Sequence, residues 1–149
     1  MTKVELANQY FNEGYNCAQS VIATFSEEFG LKKEVALKLA KNFGAGCLHR
    51  GEMCGAISGA LMLYGLKYGS ENPNDELSEE IVYYLSKKHV KEFEKIHGTI
   101  ICKDLLGIDI GSIEETNSEI DISKIKLKCH DFVKDSATII NNQLEESRK

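Results

Sequence analysis

The sequence predicts an all-α, single-domain protein spanning residues 1–149: a bundle of about six to seven helices around a short, Gly/Ala-rich central helix. Three observations carry this. Proline occurs once, at Pro73, and runs of β-branched alternation are scarce. Apolar residues recur at helical spacing through most of the chain. The stretch Gly44 to Gly69, GAGCLHRGEMCGAISGALMLYGLKYG, joins a glycine-rich loop to a helix of small and apolar residues. In it, Gly55 and Gly59 have the small-xxx-small spacing that lets another helix approach closely. Glycine costs roughly 1 kcal/mol per position against alanine in a helix, so a segment carrying Gly55, Gly59 and Gly65 needs tertiary contacts to hold it.

The elements follow in order. Thr2 and Glu5 form a capping box opening a first helix, with Val4, Ala7 and Phe11 on one face and Gly14 at its end. Asn16 caps a second, with Gln19 three residues on. Its stripe is Ala18, Val21, Ile22, Phe25 and Phe29, and Gly30 suits a left-handed stop. A third helix runs from about Lys33 to Phe43, with Ala36, Leu39, Ala40 and Phe43 inward. The central helix covers about Met53 to Tyr68. After the turn SENPND comes the longest helix, about Asp75 to His97, with Leu77, Ile81, Leu85, Phe93 and Ile96 toward its inner face. Thr99 caps a short helix through Ile101, Cys102, Leu105 and Leu106. Residues 107–123 lack a period and read as a long loop. A final helix starts near Lys124 to Cys129, with Cys129, Phe132, Val133, Ser136, Ala137, Ile140 and Leu144 as its stripe.

Net charge is −5, and among the basic residues only Arg50 and Arg148 are arginines, which argues against nucleic acid as a partner. No stretch reaches the about 20 apolar residues a membrane span needs. The N-terminus lacks a signal-peptide core, since Glu5 and Asn8 fall where one would sit. The expected location is cytoplasmic, where stable structural disulfides are rare. Five cysteines there call for burial, metal binding or redox chemistry.

Those cysteines are Cys17, Cys47, Cys54, Cys102 and Cys129, with no CxxC pair among them. Cys17, Cys54, Cys102 and Cys129 fall in or near the first turn of an expected helix, and each lies on an apolar stripe. Unpaired N–H groups and the helix dipole at such positions favour the thiolate, the reactive and metal-binding form. Four helix starts would then aim four sulfurs at one point. The plain alternative is packing, because free cysteine behaves as a small hydrophobe.

Four segments carry a resemblance to a known family: GYNCAQSV at Gly14 to Val21, GEMCGAISGALMLYGLKYG at Gly51 to Gly69, Cys102 in CKDLLGIDI, and KCHDFV at Lys128 to Val133. Together they make the chain similar to the C_GCAxxG_C_C family, whose members are described as redox-active. The run Cys-Gly-Ala-x-x-Gly, Cys54 to Gly59, is its most specific part. The family's signature cysteines fall on Cys17, Cys54, Cys102 and Cys129, and Cys47 lies outside the pattern. The resemblance implies a helical protein with a four-thiol centre associated with oxidoreductase or transport functions.

The reading favoured here is a redox or electron-transfer protein whose four cysteines bind an iron–sulfur cluster or cycle between dithiol and disulfide. The expected partner is an oxidoreductase or electron-transfer protein. The alternative is a structural zinc site, or a partner-binding module, without turnover. His49 and His130 are the histidines placed to join a metal site, though His130 would point about 100° from Cys129. His89 and His97 read as ordinary helix residues, Arg50 and Glu52 as a solvated pair, and the tyrosines as core or interface aromatics. The GAGCLHRG loop has no P-loop lysine and no preceding strand, so it is not a nucleotide fingerprint. Spare apolar surface near the central helix suggests a homodimer.

Overall fold

The computed structural model describes residues 1–108 and 122–148. Among them are seven α-helices: α1 (Lys3–Asn12), α2 (Cys17–Phe25), α3 (Lys33–Leu39), α4 (Gly55–Tyr68), α5 (Glu76–His97), α6 (Cys102–Leu106) and α7 (Ile122–Ser147). The only extended pairing among the described residues is a single antiparallel bridge between Met53 and Ile101. The fold is all-α and single-domain, as the periodicity indicates.

Local signals start the first two helices. Thr2 Oγ1 accepts from Glu5 N–H at 3.1 Å while Thr2 N–H donates to the Glu5 carboxylate at 3.0 Å. Asn16 and Gln19 repeat the exchange at 2.8 and 3.1 Å. Each pair satisfies two of the donors that a helix start leaves orphaned. Asp75 caps α5 through the Ser78 N–H.

α4 is the pivot. It packs most extensively on α2, and α5 and α7 cover its other sides. Its glycines explain the close approach. A Cβ on Gly55 would stand 2.8 Å from the Ala18 nitrogen, and one on Gly59 would stand 2.9 Å from the Ala18 carbonyl oxygen. The bare face is therefore filled by α2 of the same chain. Val21, Phe25, Ile57, Leu63, Val133 and Ile140 are fully buried around this contact.

Several expected boundaries move. α2 stops at Phe25 with Ser26 as a right-handed C-cap, and Ser26 to Gly30 form a turn, so Gly30, at φ +88°, ends that turn and not the helix. α3 stops at Leu39 and passes into a 3₁₀ turn at Lys41–Phe43. Leu39 is exposed, whereas Ala36 and Ala40 are buried and Phe43 packs partly against the core. α6 is led by Ile101, and the Thr99 hydroxyl accepts from the Ile101 N–H rather than capping the helix itself. The inner face of α5 is Leu85, His89, Val90 and Phe93, whereas Leu77, Ile81 and Ile96 are exposed. Leu77, Ile81, Leu85, His89 and Phe93 lie on one i+4 row, and burial deepens along it toward Phe93. The residue hydropathy passes over, His89, is fully buried. α7 begins at Ile122, ahead of the expected start; residues 109–121 of the expected loop lie outside the described residues.

A candidate four-thiol site

Three of the four signature cysteines stand at helix starts. Cys17 is the first residue of α2, Cys54 the N-cap of α4 and Cys102 the first residue of α6. Cys129 corrects the expectation: because α7 begins at Ile122, it sits in the third turn, with its own N–H inside the helical ladder.

The Met53–Ile101 bridge sets two of these cysteines side by side. Cys54 N–H donates to Ile100 O at 2.8 Å, and Cys102 N–H donates to Glu52 O at 2.6 Å. One short backbone pairing thus fixes the starts of α4 and α6 against each other. Cys17 and Cys129 form a second pair, in which the Cys17 thiol hydrogen-bonds to the Cys129 sulfur.

All four cysteines line one cavity of about 240 Å³, closed on the inside by Phe11, Leu105, Leu106 and Phe132. Its rim carries Asn16, Lys41, Asn42 and His49. Cys47 does not line it. His49 does, at an exposed position, whereas His130 is held away by Asn8 and Asn12 and lies edge-on to Phe11. Arg50 and Glu52 pair at 2.8 Å in solvent.

The electrostatics divide the thiols. Hydrogen bonding to Cys129, then burial, push the Cys17 thiol up, so it stays protonated. The same bond pulls Cys129 down against its own burial. Burial pushes Cys54 up to about 12, partly offset by the backbone N–H groups of Ala56 and Ile57 at the start of α4. Cys54 makes no side-chain cap hydrogen bond, and the Ile57 N–H donates to the Cys54 carbonyl oxygen at 2.9 Å.

Among the described residues no disulfide links any of the five cysteines. Also among them, no three His, Cys, Asp or Glu side chains stand close enough together to hold one metal ion. The four sulfurs line one void, with Cys17 against Cys129 and the backbone of Cys54 set beside that of Cys102.

One feature of the site had no warning in composition. Ala45, Cys47, Leu48 and His49 have φ of 51°, 67°, 53° and 58°, and Gly46 between them has 73°. Five consecutive residues thus follow a left-handed path along the cavity rim, at a cost of about 1–2 kcal/mol for each non-glycine. Leu48 N–H to Asn42 O at 2.8 Å and Glu52 N–H to Gly46 O at 2.9 Å hold it. Strain of this kind clusters at functional sites. Asn16, which reads in sequence as a cap alone, also ties this region to α2 by donating to Lys41 O at 3.0 Å.

No helix among the described residues is long and apolar enough to cross a membrane. Neither a curated protein nor a solved structure matches the chain. One family model does, over residues 15–143, with the description "Putative redox-active protein (C_GCAxxG_C_C)". That match takes in all four cavity cysteines and nearly the whole chain, which therefore belongs to the C_GCAxxG_C_C family.

Proposed function

We propose that this chain is an electron-transfer protein whose centre is an iron–sulfur cluster held by Cys17, Cys54, Cys102 and Cys129. The observation that carries the reading is that four of five cysteines, from four separate helices, line one largely apolar cavity as two pairs. When bound, such a cluster supplies one-electron transfer at a potential set by hydrogen bonds to sulfur, burial and charge. The chain's own residues supply the rest. Backbone N–H groups at the start of α4 partly offset the burial that raises Cys54, and the bond from Cys17 eases Cys129 toward thiolate. Phe11, Leu105, Leu106 and Phe132 keep water from the inner wall. The rim at Lys41, Asn42, Leu48 and His49 is exposed and is the shortest route for a redox partner.

A second reading rests on the Cys17–Cys129 hydrogen bond. These two thiols would give up two electrons and two protons to a partner disulfide, which leaves as two thiols, and a Cys17–Cys129 disulfide forms.

Anaerobic purification with iron, sulfide and zinc analysis tests both. A brown protein with matching iron and acid-labile sulfide, bleached by dithionite, supports the cluster. A colourless, metal-free protein that loses two hydrogens at Cys17 and Cys129 on oxidation supports the dithiol. Bound zinc, or no response to oxidant, defeats both.

The homodimer reading also remains a proposal. The small-residue face that suggested it is covered by α2, so the candidate surface becomes the exposed row Leu77, Ile81 and Tyr84 on α5. Sedimentation showing monomer alone at high micromolar concentration would remove it.

A further inference from the structure

The outward face of α5 carries a stripe whose charge runs from acid to base. Glu76, Glu80, Tyr84, Lys87, Lys91 and Lys95 recur at steps of three or four residues, so they share one face, and all six are exposed. The stripe is symmetric about its midpoint. Counting outward from Tyr84 and Lys87, steps of four reach Glu80 and Glu76 in one direction and Lys91 and Lys95 in the other.

Among the described residues, none of these five charges makes an ion pair, whereas Lys88, beside the stripe, pairs with Glu146 at 2.8 Å. Within α5 the spacing sets like charges four apart, Glu76 with Glu80, Lys87 with Lys91 and Lys91 with Lys95, which by itself weakens a helix. The helix dipole accounts for Glu76 and Lys95 alone, since it acts only within the end turns.

A second copy of α5 laid antiparallel answers every one of these charges. It sets Glu76 against Lys95, Glu80 against Lys91 and Tyr84 against Lys87 of the other copy, and two-fold symmetry makes each contact twice. An ammonium facing a tyrosine ring is attracted to it. Leu77 and Ile81, 68% and 38% exposed, flank the acidic half, where the apolar stems of the opposing lysines can cover them. A parallel arrangement would oppose like charges along the whole stripe.

We infer that two copies of this chain associate by antiparallel self-pairing of α5 about a two-fold axis between Tyr84 and Lys87. The inference rests on the homodimer reading above and specifies its geometry. No residue of α5 lines the cysteine cavity, so the pairing does not draw on the four-thiol centre.

Sedimentation equilibrium of the reduced full-length chain tests it. The wild type should dimerise at high micromolar concentration, and raising salt from about 0.05 to about 0.5 M should weaken the dimer about tenfold. Glu76→Lys with Glu80→Lys, and separately Lys91→Glu with Lys95→Glu, should each weaken it about tenfold or more, because four cross-chain pairs turn repulsive. The first of these brings the chain closer to neutrality, so general charge repulsion predicts the opposite. All four substitutions together exchange the signs, keep the complementarity and should return the wild-type affinity. A wild-type dimer indifferent to salt, or to the paired substitutions, overturns the antiparallel pairing and leaves the homodimer reading standing. So does a fourfold variant as weak as the paired ones. A wild-type monomer at high micromolar concentration overturns both.

Discussion

The Cys17 thiol, at the start of α2, hydrogen-bonds to the Cys129 sulfur in the third turn of α7. The bond makes two chemically identical groups unequal: Cys17 is buried and held protonated, and Cys129 is half-buried and eased toward thiolate. In the metal-free, reduced chain at neutral pH, Cys129 should therefore alkylate before Cys17. Cys17→Ala removes the donor and should slow Cys129, as peptide mass spectrometry of a timed iodoacetamide reaction would read. An equal rate at both cysteines in the wild type would contradict the arrangement.

Serine substitutions separate the centre from packing. Cysteine and serine differ little in volume, so Cys54→Ser leaves almost no cavity and costs about 1–3 kcal/mol for its buried hydroxyl. Cys17, Cys54, Cys102 and Cys129 should each, as serine, lose metal loading or the redox response. Cys47→Ser should keep both, because Cys47 does not line the cavity. If Cys54→Ser and Cys47→Ser match in metal content and in the reactivity of the remaining thiols, the shared centre is lost as an idea.

The glycines of α4 should respond in opposite directions. A Cβ on Gly65 meets nothing, so Gly65→Ala should stabilise the fold by about 0.5–1 kcal/mol through helix propensity. On Gly59 the same atom would stand 2.9 Å from Ala18 O and 3.2 Å from Val21 Cβ. Overpacking there costs about 1–3 kcal/mol, which outweighs the propensity gain. Urea unfolding of the two variants should move the midpoint up for Gly65→Ala and down for Gly59→Ala.

His89 should make the protein acid-sensitive. Its pKa is lowered by burial from 6.5 to about 3. Between those values the unfolded chain carries the proton and the folded chain does not. Stability contributed by this group is thus complete above about pH 6.5 and falls as pH drops toward about 3, by about 1.4 kcal/mol per pH unit. His89→Gln removes the titrating group, and its stability should fall less steeply over that window than the wild type's. Parallel curves from urea unfolding at several pH values would show that His89 is not buried neutral.

The first helix starts were legible because their causes are local. The Thr2–Glu5 and Asn16–Gln19 boxes each involve four consecutive residues, whereas the end of α2 at Phe25 carries no such local signal. The inner face of α5 was legible only in part. Its i+4 row could be traced, but the length of row covered by neighbours depends on how far α5 runs alongside them, and a hydropathy pattern counts His89 as polar although Tyr64 and Ser136 satisfy it inside.

The sequence by itself determined that the fold is helical, which cysteines belong to the family pattern, and that a glycine-bare helix must find a close neighbour. Spacing of apolar and small residues is enough for that, since it follows from the 3.6-residue turn and the absence of a side chain. Only the tertiary structure decided that the neighbour is α2, that Cys17 pairs with Cys129 and Cys54 with Cys102, and that Ala45 to His49 run left-handed along the rim. Each of these depends on contacts between residues far apart in the chain, whose distances are set by how whole helices pack rather than by any local preference.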